Sequence, residues 1–388
     1  MAHADGRPAG ALTDIVRRAE APAADADAAV AALAEGLGPG PFAIVILFIS
    51  SDADKETVAR AAAARFAPAP VIGCTTAGEI SANGYASGEV VALALPEAQF
   101  SAYVTVIDDL GALTPRALAA DLMSARAEQA QEQPDWPYEF AFLMVDGLSL
   151  KEDELVAGLS AALGPTPLFG GSAGDGMNFG ETFILAGGRL LSNAAVIALV
   201  RTVCRVETFR IDHLKPTTQK MVVTGADPAR RIVTEINAEP AAREYARVLG
   251  KDPEQLSPFI FAAHPVLVRI GGEHFVRAIQ QVAPNGDLIF FSAIDEGLVL
   301  TLAEPDDIAP HLDARLNGLS SQGRPDAIIA CDCILRRVEA EQKQEVRQVS
   351  DVLSRHRVVG FNTYGEQSGG AHVNQTMTGI AVYPPACR

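Results

Sequence analysis

Positive charge is scarce in this chain: 31 Lys and Arg stand against 48 Asp and Glu, a net charge of −17. A surface that acidic repels nucleic acid and anionic lipid, so neither is an expected partner. A locally basic pocket remains compatible with it. No apolar run reaches the roughly 18–20 residues that a membrane helix needs, so no membrane span is expected. The segment from Met1 to Arg7 lacks a basic stretch followed by an apolar one, and no signal peptide is expected. Cysteine is sparse as well: Cys74, Cys204, Cys331, Cys333 and Cys387. An odd number without framework spacing suits a reducing compartment, and the expected location is cytoplasmic.

Familiar catalytic and metal signatures are missing too. None of the seven histidines lies in a His-Glu-x-x-His pattern, and there is no Cys-x-x-Cys-His for covalent haem. Cys331 and Cys333 alternate on an expected strand and face one side, but two thiolates alone make a poor zinc site. Cys74 follows a glycine and could act as a nucleophile only with a base that the sequence does not announce; a buried structural thiol is the simpler reading.

What is present is a pattern that occurs three times. An apolar strand, a helix and a second short apolar run lead to glycine, four residues, glycine and an acid. The first copy starts at Phe42 and ends in Gly73-Cys-Thr-Thr-Ala-Gly78-Glu79. The second starts at Phe140 and ends in Gly170-Gly-Ser-Ala-Gly174-Asp175, one residue shorter. The third starts at Ala327 and ends in Gly360-Phe-Asn-Thr-Tyr-Gly365-Glu366. Each span is roughly 30 residues, the size of one βαβ unit. A strand follows each loop, at Gly88–Leu95, Ser192–Val200 and Gln375–Tyr383. The third unit is expected to carry one long polar helix from about Val338 to Arg357.

The glycine loops resemble phosphate cradles only in part. The Walker lysine is absent, and a strand follows where a dinucleotide fold opens a helix. Tight turns explain the glycines; a small-molecule site lined by Thr75, Thr76, Ser172, Asn362 and Thr363 is the functional alternative. Glu79, Asp175 and Glu366 could do acid–base work, and turn capping explains them equally well. Between the second and third copies lies a strand-rich stretch with turns at Gly271-Gly272 and Asn285-Gly286. The expectation is an α/β fold of two packed domains with mixed sheets, built from repeated strand-helix-strand-loop-strand units. Its boundaries are a flexible segment at 1–22, an N-terminal domain at 23–210 and a C-terminal domain at 211–388.

The loop sequences carry a resemblance. Val71-Ile-Gly-Cys-Thr-Thr-Ala-Gly-Glu-Ile80 and Gly170-Gly-Ser-Ala-Gly-Asp-Gly176 resemble the N-terminal half of FIST sensory domains. Val359-Gly-Phe-Asn-Thr-Tyr-Gly-Glu366 with His372-Val-Asn-Gln-Thr-Met377 resembles the closing motif of the C-terminal half. Four further stretches, beginning at Lys215, Val222, Phe261 and Ala293, are similar to the nitric-oxide-sensing FIST haemoproteins. That resemblance implies haem b on a histidine, nitric oxide or another diatomic gas at the iron, and no catalysis by the chain itself. Output would pass to a histidine kinase or a cyclic-di-GMP enzyme, with a homodimer left open. His264 is the first candidate for the iron ligand, with His213 and His372 as runners-up. Arg269 and Arg277 are the candidates for the propionates. The alternative is a FIST domain that binds a small metabolite such as an amino acid between its halves, without haem.

Overall fold

The structure, a computed structural model, describes residues 14–270 and 272–385. Three units follow one plan. Unit 1 runs through β1 (Arg17–Pro22), α1 (Ala26–Leu37), β2 (Phe42–Ser50), α2 (Lys55–Phe66) and β3 (Val71–Thr76), then a hairpin of β4 (Glu79–Ser81) and β5 (Gly84–Ala86), then β6 (Glu89–Pro96). Unit 2 repeats this with β7 (Phe100–Ile107), α3 (Pro115–Glu132), β8 (Tyr138–Val145), α4 (Glu152–Leu163), β9 (Leu168–Ser172), the hairpin β10 (Ile184–Ala186) and β11 (Arg189–Leu191), and β12 (Ala195–Thr202).

Unit 3 opens with β13 (Val206–Ile211) and is then interrupted by an insert. The insert contains β14 (Leu214–Asp227), β15 (Ile232–Ile236), β16 (Glu239–Pro240), α5 (Ala241–Leu249), α6 (Pro258–Ala263), β17 (Val266–Ile270), β18 (Glu273–Arg277), β19 (Ile279–Val282), β20 (Leu288–Phe290) and β21 (Val299–Pro305). The unit resumes with α7 (Ile308–Leu319), β22 (Ala327–Cys333), α8 (Ile334–Gln342), α9 (Val346–Arg355), β23 (Val358–Thr363), the hairpin β24 (Glu366–Ser368) and β25 (Ala371–Val373), and β26 (Met377–Val382).

In each unit a helical crossover makes the second and third strands parallel, and the trailing strand returns antiparallel beside the second. The hairpins do not stay at home. That of unit 1 pairs with β23 of unit 3, that of unit 3 with β9 of unit 2, and that of unit 2 with β3 of unit 1. The result is three six-stranded sheets in a cyclic exchange: β1-β6-β2-β3-β10-β11, β7-β12-β8-β9-β24-β25 and β13-β26-β22-β23-β4-β5. One face of each sheet lines a shared apolar core, where Phe48 stacks on Phe361 at 4.7 Å and meets Phe142 edge-on at 6.5 Å. The other face is covered by that unit's own helices. With both faces buried, Phe42–Ile49 of β2, Phe140–Val145 of β8 and Ala327–Cys331 of β22 read as unbroken apolar runs rather than alternating ones.

The insert forms its own sheet, in the order β18-β17-β21-β14-β15-β20-β19 with β16 beside β15. One face is covered by α5 and α6, whose Tyr245 and Phe261 pack over Met221, Val223 and Val268. Part of the other face packs Leu267, Val276 and Ala303 against α8 of unit 3.

The expected α/β fold of two packed domains with mixed sheets is formed, and the three repeated units with it. Several details differ. The expected flexible segment 1–22 ends in a strand, β1, because its alternating residues pair with β6 along its full length; Met1 to Thr13 lie outside the described residues, as does Cys387. The long polar helix of unit 3 is two helices, α8 and α9, broken where Gln344 takes a left-handed backbone (φ 57). The edge strands β7 and β13 and the helices α3 and α7 went unread. Their partners lie far along the chain: β7 on β12 and β13 on β26. Among the described residues no helix is long and apolar enough to cross a membrane.

One glycine in each unit has a steric cause. A Cβ on Gly73 would lie 2.3 Å from the carbonyl oxygen of Leu47, on Gly170 2.3 Å from that of Leu143, and on Gly360 1.8 Å from that of Ala330. The contact is backbone and has nowhere to move. Gly360→Ala is therefore expected to destabilise by about 3 kcal/mol or more, whereas Gly318→Ala, with nothing within 4 Å on α7, should stabilise by about 0.5 kcal/mol. Chemical denaturation checks both; equal midpoints for the two variants would refute the steric account.

Candidate functional site

The glycine loops spend their polar groups on each other. Gly174 donates its N–H to the carbonyl of Thr75, Ala77 to that of Asn362, Asn362 to that of Gly78, and Ser172 to that of Gly365. The Thr76 hydroxyl donates to Glu79 at 2.5 Å, and the Thr363 hydroxyl donates to Glu366 at 2.5 Å. The second oxygen of each glutamate accepts a backbone N–H ten positions on, from Glu89 at 3.2 Å and Thr376 at 3.1 Å. The Thr75 hydroxyl accepts from Phe183, and Ser172 accepts from Gln367. Asp175 takes the N–H groups of Phe179, Gly180 and Glu181 and the Tyr364 hydroxyl. These loops are brackets between units. Cys74 is fully buried and burial pushes its thiol well up, as it does for Cys331 and Cys333, so none is poised as a nucleophile. Among the described residues no group of three or more His, Cys, Asp and Glu side chains could hold a metal.

The three candidate histidines occupy different settings. His264 ends α6, half-buried, with its backbone carbonyl accepting from the Tyr245 hydroxyl at 2.6 Å. Burial, then nearby Lys251, pushes its imidazole below the usual range. Its ring makes no hydrogen bond among the described residues. His213 is sealed and saturated: Arg336 donates to Nδ1 at 2.8 Å, and Nε2–H donates to Glu339 at 2.9 Å. Burial dominates here too and holds it neutral-leaning. His372 is buried at 3 % exposure, with Gln367 Nε2 donating to Nδ1 at 3.3 Å.

Arg269 and Arg277 do not converge. In the β17–β18 hairpin Arg269 pairs with His274 and Arg277 with Val266. Residues 274 and 277 are an odd number of positions apart on one strand, so they face opposite sides of the sheet. Arg269 is exposed and Arg277 buried. The expected pair of propionate partners is therefore not formed on one surface, and His264 lines neither of the two cavities beside this hairpin.

What the fold gathers instead is a buried polar cluster where α4 of unit 2, the insert and the hairpin of unit 3 meet. Arg231 donates to Glu152 at 2.6 Å, to Asp153 at 3.0 Å and to the carbonyl of Phe291 at 2.5 Å. The backbone of Ala293 donates to Asp153 at 3.2 Å. Arg277 lies close enough to feel both partners; burial lowers its pKa most, Asp153 raises it and Arg231 lowers it. His372 responds to the same four charges, with burial first, and is held neutral. Because Nδ1 accepts from Gln367, Nε2 carries the proton. Gly365 is bare for this ring's sake: a Cβ there would lie 2.8 Å from His372 Nε2 and 2.9 Å from Asn374 Nδ2.

Five polar atoms of this cluster are buried without a partner among the described residues: Arg277 Nε, His372 Nε2, Asn374 Oδ1, Gln367 Oε1 and Ser292 Oγ. Native proteins bury few such atoms, and each costs on the order of 1–3 kcal/mol. The cluster thus offers two guanidinium groups, two carboxylates, free donors and free acceptors, with Asp153, 31 % exposed in its side chain, at the solvent edge. Sequence reading had His372 and Arg277 but missed Glu152, Asp153, Arg231, Ser292, Gln367 and Asn374. Only the His372-Val-Asn374 run carried a signal, as part of the closing motif.

The family model for the FIST N domain matches residues 43–239, and that for the FIST C domain matches residues 241–369. The chain belongs to the FIST family. A search of curated proteins finds no match. FIST domains are sensory, so the chain has a sensory, signal-transduction role. The polar cluster joins the two FIST domains: Glu152, Asp153 and Arg231 fall in the first match, and Arg277, Ser292 and Gln367 in the second.

The loop glutamates give this FIST protein a pH dependence. Burial raises Glu79 to about 7 and Glu366 to about 8. A carboxyl raised on folding stabilises fully below its unfolded value, and that contribution is lost as pH climbs through the folded value. The melting temperature is expected to fall from roughly pH 4.5 to pH 8, and Glu366→Gln, which keeps the neutral form, should flatten that fall. A variant that loses stability as steeply as the wild type over this range would contradict the assignment.

Proposed function

We propose that this FIST protein is a non-catalytic sensor whose ligand is a small amphoteric metabolite, such as an amino acid, held in the buried cluster between the two domains. The observation that carries this reading is the set of unpartnered donors and acceptors beside Arg231, Arg277, Glu152 and Asp153. A carboxylate suits Arg277 and the His372 Nε2–H, through charge-assisted hydrogen bonds. An ammonium group suits Asp153, Gln367 Oε1 and Asn374 Oδ1. A ligand satisfying both ends would bridge the FIST domains and favour their closed arrangement, which is how binding becomes a signal to a protein partner.

The haem reading keeps one supporting observation: His264 presents a neutral-leaning imidazole with no hydrogen bond on its ring. Haem iron would supply the site for nitric oxide, with a histidine kinase or cyclic-di-GMP enzyme as receiver. The separation of Arg269 from Arg277 counts against it, because the residues present do not compose the pocket that the resemblance implies.

Thermal denaturation with each common amino acid, and separately with haemin, distinguishes the two. Ligand at about a hundred times its dissociation constant should stabilise by about 2.7 kcal/mol, and Arg277→Met should abolish the gain while leaving the unliganded fold intact. A Soret band that appears on haemin addition and is lost in His264→Ala, with no amino-acid effect, would reverse the preference.

A further inference from the structure

The exposed end of the inserted sheet combines basic side chains with exposed apolar ones. Lys220 on β14 lies opposite Thr301 on β21, and Thr301 lies opposite Leu267 on β17. Two residues along the same face come Val222 and Val299, opposite each other, and the cross-strand pair Arg269 and His274. By strand alternation all of these share one face. Toward unit 3 that face is covered by α8 through Leu267 and Val276. Beyond it the face is open, as a cleft of about 570 Å³ lined by Lys220, Arg269, His274, Thr217, Leu298 and Val299 among others. No acid lines it. Among the described residues Lys220 and Arg269 form no ion pair. Val299 is 45 % exposed and Val222 38 % exposed beside them.

We propose that this cleft docks an extended, acidic polypeptide segment of a partner protein. An unneutralised basic strip on a chain of net charge −17 is a local attractor for carboxylates and steers their approach. Nucleic acid is the weaker fit, because the surrounding negative field repels a polyanion and the strip holds only Lys220, Arg269 and His274. Val299, on the strand between those of Lys220 and Arg269 and with Val222 beside it, suits a polypeptide with an apolar residue between its acids. Two strand spacings and two residues of rise separate the Lys220 and Arg269 backbones by roughly 12 Å. That is about the reach of four residues in an extended chain, so the partner carries acids at positions i and i+4 with an apolar residue at i+2. The site stands apart from the interdomain cluster and does not depend on what that cluster binds.

The test is fluorescence anisotropy at low salt. The probe is a labelled peptide with glutamate at every fourth position, valine midway and threonine elsewhere; its twin has lysine for glutamate. The acidic peptide should bind, the lysine twin should not, and Lys220→Glu with Arg269→Glu should weaken binding at least tenfold without altering the circular dichroism or the thermal response to amino acids. Unchanged binding by the double variant would overturn the proposal. So would full competition by millimolar inorganic phosphate, which would make the cleft a small-anion site, or tighter binding of a single-stranded DNA oligomer than of the peptide.

Discussion

Three carbonyl oxygens, those of Leu47, Leu143 and Ala330, press against the bare Cα atoms of Gly73, Gly170 and Gly360. This close approach between the parallel strands of each unit is the constraint on which the rest depends. It holds β3, β9 and β23 where each can accept a hairpin from a different unit. The exchange is cyclic, so no unit completes its own six-stranded sheet. Removing any hairpin would expose a strand edge in a neighbour, and an unpaired edge is a liability that proteins rarely tolerate. Cooperation among the three units is therefore built into the backbone pairing, and the shared apolar core adds to it.

The repeated loops are the instrument of this exchange. Their threonine–glutamate bonds in units 1 and 3 are near copies, and both glutamates reach the same relative position in the chain that follows. Unit 2 departs from the pattern, with Asp175 one residue closer and bonded to the turn at Phe179–Glu181 and to Tyr364. Symmetry breaks in one further place, where the insert interrupts unit 3 after β13. There the insert meets α4 and the hairpin of unit 3, and the buried polar cluster forms. The ligand proposed above would sit at this point of broken symmetry, touching residues from both FIST matches.

Much of this was legible in the residues. β2, β8 and β22, the helices α1, α2 and α4, and the three trailing strands announce themselves through apolar runs, caps such as Asp25 and Asp54, and turn glycines. The loop words at Val71–Ile80, Gly170–Gly176 and Val359–Glu366 identify the family. Strands β7 and β13 did not stand out, because a sheet edge mixes exposed and half-buried residues and loses the clean apolar signal. The break between α8 and α9 was hidden because Gln344 carries no glycine or proline to mark its left-handed turn.

The sequence by itself determined the number of units, their strand and helix content, the family and the acidic surface, because these rest on local periodicity, composition and short words. Only the tertiary structure decided which sheet each hairpin completes, that Arg269 and Arg277 face opposite ways, and that Glu152, Arg231, Arg277 and His372 share one buried cluster. Those facts depend on pairings between residues far apart in the chain. A backbone hydrogen bond or a buried ion pair leaves no periodic trace in either partner's neighbourhood, so the chain must fold before the pairing can be seen.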